Sequence, residues 1–164
     1  MKIIFTLVLY NNSIKDLDPL INSINNLSKI IEIGKEIIVS ILDNSKYHLE
    51  KKIFEEKFEE NINLIFTNSN SNLGFGRGHN IAYEKAVTEK TITSNDILII
   101  TNPDIYFESL EILKIIDFFS QEKNKNIVCL GPLIRNDKNI LQYSAKKNPT
   151  ILSLLIGRFS LLEK

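Results

Sequence analysis

A single cysteine in 164 residues leaves no partner for an internal disulfide and no basis for a cysteine metal cluster. Cys129 lies in the apolar run Ile127-Val128-Cys129-Leu130 and is expected to be a buried, reduced thiol, which suits a reducing, cytoplasmic compartment. An excess of charge of either sign is missing too, with 20 basic residues against 20 acidic ones, so the totals give no footprint of a nucleic-acid partner. No apolar run approaches the ~20 residues that a membrane-spanning helix needs. The chain opens Met1-Lys2 and continues into eight mostly apolar residues, Ile3 to Tyr10, but no small-residue cleavage site precedes Asn11-Asn12-Ser13. That opening reads as a first β-strand rather than a leader peptide. Histidine is scarce, and His79 has no second His or Cys at ligand spacing, so it reads as a packing or loop residue.

What is present is an ordinary globular composition, 43% apolar and 24% charged, at the length of one domain, residues 1–164. Strands are expected at residues 2–10, 36–42, 63–67 and 96–100. Between them, residues 16–27 carry Leu17, Leu20, Ile21, Ile24 and Leu27 at helical spacing, with Pro19 near the start. Residues 47–60 set Leu49, Ile53, Phe54 and Phe58 against a Lys/Glu face, and further helices are expected at 81–90 and 109–121. A later strand at 126–133 is broken by Gly131-Pro132, and Asn136 to Asn139 forms a turn between two short strands. Strands alternating with helices imply an α/β fold with a mostly parallel sheet. The loops at 11, 43, 72–80 and 102–104 should therefore converge along one edge, where such sheets bind ligands.

Two stretches on that edge carry chemistry. The run Ile97-Leu98-Ile99-Ile100 reads as a central strand covered on both faces, and it ends in Asn102-Pro103-Asp104. A carboxylate there can hold a hard divalent cation, which in turn holds phosphate oxygens. By itself Asn-Pro-Asp also makes a plain turn. The second stretch, Asn72-Leu73-Gly74-Phe75-Gly76-Arg77-Gly78-His79-Asn80, has glycines at alternate positions. They remove side chains near a ligand and permit the positive φ angles that turn N–H groups toward an anion. Arg77 adds a fork of donors, and the helix after it presents its N-terminal dipole.

Together with Thr6 to Asn11, Asp43-Asn44-Ser45, Gly131-Pro132-Leu133-Ile134, Gln142-Tyr143-Ser144 and Pro149-Thr150, these motifs in this order resemble family 2 glycosyltransferases of the rhamnosyltransferase-like branch. The resemblance implies a GT-A (Rossmann-like) fold. It also implies an inverting transferase of bacterial surface-polysaccharide assembly, a nucleotide-diphosphate sugar donor linked to UDP or dTDP, and a divalent metal, Mg²⁺ or Mn²⁺. Position by position, it implies base contact at Asp43 with Tyr10 and Asn11 beside it, and nucleotide contact at Asn72, Gly74, Gly78 and Asn80. Arg77 falls to the diphosphate. Asn102 stands where many relatives have the first Asp of an Asp-x-Asp motif, and Asp104 matches the metal-binding Asp. The acceptor it implies is a glycan or a lipid-linked sugar, with the enzyme cytoplasmic or peripheral at the inner membrane face.

Relatives also carry a later acceptor-side Glu-Asp pair whose Asp is the general base, and the sequence ends before such a pair. Glu108, Glu111, Asp117, Glu122, Asp137 and Glu163 offer no substitute, so no catalytic residue is assigned and the resemblance covers a donor-binding half. The alternative is a nucleotide-sugar-binding fragment, or one subunit of a two-chain transferase. A third reading is an unrelated flavodoxin-like or nucleotidyltransferase-like domain. Residues 150–164 carry Ile151, Leu154, Leu155, Phe159 and Leu162, and are expected to pair with a second copy, another chain or a membrane surface, or to pack inward.

Overall fold

The computed structural model describes residues 1–69 and 71–142, which fall in two compact units, Met1–Glu122 and Lys123–Lys164. The first unit holds an α/β sheet of four parallel strands in the order β3-β2-β1-β4. In chain order these are β1 (Lys2–Leu9), α1 (Ile14–Ile30), β2 (Glu36–Asp43), α2 (Lys51–Lys57), β3 (Ile62–Asn68), α3 (Phe75–Glu89), β4 (Ile97–Thr101) and α4 (Ser109–Ser120).

Strand periodicity sorts the core onto two faces. Ile3, Phe5, Leu7 and Leu9 of β1, with Ile37, Val39 and Ile41 of β2, meet Leu17, Leu20, Ile24 and Leu27 of α1, Phe54 of α2 and Ile112 and Ile116 of α4. Burying each such aliphatic side chain contributes about 1.5–3 kcal/mol. The alternate residues Ile4 and Ile38 pack with Ile65 and with Ala86 of α3. Helix α1 starts where Ser13 N–H donates to Asp16 Oδ2 at 2.8 Å, and Gly34 turns the chain back with φ +92°.

Several expectations need correction. Helix α3 begins at Phe75 rather than near residue 81, so Gly76 and Gly78 lie in its first turns and not in a loop. Helix α2 is confined to Lys51–Lys57. Among the described residues β4 is an edge strand and is not covered on both faces. Ile97 and Ile99 join the core, but Leu98 and Ile100 are 40% and 57% exposed, because α3 lies over β1, β2 and β3. On α4, Leu110 faces outward, and Ile112 and Ile116 carry the burial.

In the second unit, residues 126–133 form no strand, and Cys129 is exposed rather than buried. The turn at Asn136–Asn139 joins the antiparallel strands β5 (Ile134–Arg135) and β6 (Leu141–Gln142), as expected. Asn139 supplies the left-handed residue, φ 59°. Tyr143, Ser144, Pro149 and residues 150–164 lie outside the described residues. No helix among the described residues is long and apolar enough to cross a membrane.

Candidate functional site at the strand carboxyl ends

Because β1 to β4 are parallel, the segments that follow them leave the sheet at one edge. Connections β1 to β2 to β3 step outward on one side of β1, and β4 then pairs with the other side. The direction of winding reverses between β1 and β4, which is where open α/β sheets have their ligand crevice. Tyr10 and Asn11 leave β1 on one side of that point, and Asn102 and Asp104 leave β4 on the other.

Asn11 adopts φ 57°, a left-handed conformation that asparagine tolerates, and its N–H donates to Ser45 Oγ at 2.7 Å. Tyr10 N–H donates to Asn12 Oδ1 at 2.9 Å, while its ring stays exposed. On β2, Asp43 is only 1% exposed. Its Oδ1 accepts Ser45 N–H at 2.8 Å and its Oδ2 accepts Leu49 N–H at 2.9 Å, so the carboxylate closes the 44–49 loop from both ends. His48 Nδ1 lies 3.8 Å from Asp43 Oδ2, too far for a hydrogen bond.

The glycine-rich stretch resolves into residues with separate tasks. Asn72 Oδ1 accepts Gly74 N–H at 2.9 Å, and Gly74, at φ +75°, caps α3 in a conformation that side chains disfavour. Gly78 N–H donates to Gly74 O at 3.1 Å and begins the helical ladder. A Cβ on Gly78 would stand 2.7 Å from Val8 Cγ2, so this glycine lets α3 approach β1. Gly76 faces open space. The N–H groups of Phe75, Gly76 and Arg77 precede the first helical donor, Gly78 N–H, which leaves a positive helix end among exposed side chains, Arg77 and Asn80 included.

Beneath that turn His79 is 4% exposed, with Nδ1 2.9 Å from Thr6 Oγ1 and its ring edge-on to Phe75 at 4.3 Å. Burial lowers its pKa, which keeps the imidazole neutral. Its Nε2 is buried without a hydrogen-bond partner. An unpaired lone pair is tolerated better than an unpaired N–H, which puts the proton on Nδ1, donating to Thr6.

After β4, Ile105 N–H reaches back to Asn102 O at 3.4 Å, and the turn leaves the side chains of Asn102 and Asp104 exposed. The loop is fixed behind them. Phe107 N–H donates to Ser23 Oγ at 3.0 Å, Ser23 Oγ donates to Pro19 O at 3.0 Å, and the Phe107 ring stacks on Phe5 at 5.7 Å. Asp104 is the exposed carboxylate of this turn, and no cluster of three or more metal-ligating side chains occurs among the described residues. That donor set fits a Mg²⁺-type cation held by one carboxylate, water and ligand phosphates, and does not fit an all-protein cage.

The sequence-derived site residues thus come from the ends of β1 to β4 within one unit. Sequence reasoning assigned no role to Asn44 or Ser45, although they bind the edge together. Asn44, 3% exposed, accepts Leu73 N–H through Oδ1 at 3.4 Å and donates through Nδ2 to Gly74 O at 3.3 Å. Their adjacency to Asp43 at a strand end was the available signal. Ser23, four residues past a helix-interior proline, left none. A groove of about 330 Å³ touching Ile30, Lys35, Leu113 and Asp117 lies by the C-terminal end of α1, away from these loops. Compared with known proteins, the chain matches no protein-family model, no curated protein and no solved structure.

Proposed function

We propose that this chain is the donor-binding part of an inverting, family 2-like glycosyltransferase and takes a nucleotide-diphosphate sugar together with Mg²⁺ or Mn²⁺. The observation that carries the reading is the reversal of winding between β1 and β4, with Asp104 exposed past β4 and the open N-terminal turn of α3 at the same sheet edge. In this reading the free N–H groups of Phe75, Gly76 and Arg77, with the Arg77 guanidinium, receive the diphosphate. Tyr10 and Asn11 flank the base, and Asp43 holds the 44–49 loop against it. Asn72 and Asn80 hydrogen-bond the nucleoside, and Gly74 and Gly78 shape the turn around it. Asn102 orients the sugar diphosphate beside Asp104. A bound cation supplies charge that lets a carboxylate and a diphosphate share one site. Direct contact of the two anions would be repulsive.

Calorimetric titration with uridine and deoxythymidine diphosphates tests this, with and without Mg²⁺ or Mn²⁺, on the native chain and Asp104→Ala. Metal-dependent binding by the native chain that weakens at least tenfold in the variant is expected. Equal affinity in all arms contradicts it.

A second reading, a nucleotide-sugar-binding subunit of a two-chain transferase, is favoured by the state of the carboxylates that follow Asp104. Glu111 pairs with Lys114 at 2.6 Å, and Asp117 accepts Gln121 Nε2 at 2.9 Å, both along α4. Neither of these two is a free base at the strand ends.

A further inference from the structure

Strand β2 lies between β3 and β1, so the residues that leave it are placed to reach the loops on both sides. Their backbone is fixed by the sheet. Asn44 N–H donates to Leu9 O at 2.9 Å and Ser69 N–H donates to Asp43 O at 2.9 Å, which carries the main-chain pairing past the ends of β2 and β3. From that base two adjacent buried side chains, Asn44 and Ser45, turn to opposite neighbours.

Asn44 serves the β3 side. Its Oδ1 accepts Leu73 N–H, and its Nδ2 donates to Gly74 O, the same carbonyl that accepts Gly78 N–H and so opens the α3 ladder. One partner is a donor and the other an acceptor, which sets the orientation of the amide. Ser45 serves the β1 side. Its Oγ accepts Asn11 N–H at 2.7 Å where Asn11 takes its left-handed conformation, φ 57°, and Ser45 N–H is itself fixed on Asp43 Oδ1 at 2.8 Å.

We propose that Asn44 and Ser45 are positioning residues with divided tasks: Asn44 aims the α3 turn that receives the diphosphate, and Ser45 shapes the Tyr10–Asn11 exit that flanks the base. The assignment rests on the donor-site reading above. Both side chains are buried, so they act on affinity through the geometry of the segments they hold rather than by touching the nucleotide. A purely structural role would weaken every ligand alike. Divided positioning weakens one half of the ligand and spares the other.

NMR titration of the full chain with two half-ligands tests it, with uridine as one, inorganic diphosphate plus Mg²⁺ as the other, and uridine diphosphate plus Mg²⁺ as the whole. In Asn44→Ala the affinity for inorganic diphosphate should fall about fivefold, the loss expected for one ordinary hydrogen bond, while that for uridine stays within about twofold. Ser45→Ala should do the reverse. Before any ligand is added, amide exchange should quicken at Leu73 and Gly78 in the first variant and at Asn11 in the second. Should Asn44→Ala not fold, Asn44→Ser replaces it, since a serine hydroxyl is too short to bridge Leu73 and Gly74. Parallel losses of both half-ligands, unchanged exchange at these amides, or unfolding of both Asn44 variants overturns the divided tasks. The two proposals stay distinguishable: a native chain that binds none of the three probes defeats the donor-site reading and the divided tasks with it, whereas native binding with parallel losses in the variants defeats the divided tasks alone.

Discussion

At the residue scale, glycines that look equivalent in sequence have different costs of replacement. A valine at 78 would force its Cβ against Val8 at 2.7 Å and push α3 from the sheet, so Gly78→Val should destabilise the fold by about 1–3 kcal/mol. Gly76 faces open space, so Gly76→Val should leave the melting temperature within a few degrees, yet set a branched side chain beside the free N–H groups and weaken diphosphate binding. Thermal melts paired with nucleotide titrations of both variants check this; equal melting temperatures contradict the packing role of Gly78. Alternate glycines were visible in the sequence, but which one meets β1 was not. That depends on where α3 starts, and Gly74 decides it.

His79 adds a pH dependence. Its native pKa lies below the ordinary 6.5 because burial disfavours the imidazolium, so the unfolded chain binds more protons between the two values. Its contribution to stability is complete above about pH 6.5 and is lost progressively as pH falls toward the lowered native value. Melting curves from pH 7.5 to 5 should fall more steeply for the native chain than for His79→Gln; parallel curves contradict this. The sequence reads His79 as a packing or loop residue and leaves the choice open, because its partner Thr6 is 73 residues away.

At the element scale, the site rests on loops fixed by side chains rather than by strand pairing. Asp43 does most at β2, where two main-chain N–H groups depend on one buried carboxylate. Asp43→Ala strands both donors and should cost about 2–4 kcal/mol, with faster hydrogen exchange at Ser45 and Leu49. Unchanged exchange there would show that the loop holds itself. Helices α1 and α4 and strands β1 to β3 were legible because a core-facing period repeats over each. Strand β4 was misread because Leu98 and Ile100 are as apolar as the core pair Ile97 and Ile99. Hydrophobicity records what a face prefers, while α3 decides which face it receives.

At the scale of the whole molecule, alternating strands and helices made the parallel sheet, and the common edge where its loops leave, readable from sequence, because crossover helices return every strand in the same direction. Strand order was not readable, and it is the order β3-β2-β1-β4 that sets Asn11 and Asp104 on the two sides of the reversal. The 126–133 segment shows the limit of local pattern, since an apolar run alone does not make a strand and none forms there. The central claim is that a nucleotide diphosphate and its cation meet at this edge through Asp104. Amide NMR spectra of the chain with uridine or deoxythymidine diphosphate and substoichiometric Mn²⁺ test it most directly. Paramagnetic broadening should be strongest at residues 102–106, extend to 10–13 and 74–78, spare 30–35, and vanish in Asp104→Ala. Broadening centred anywhere else, or undiminished in that variant, would contradict the account.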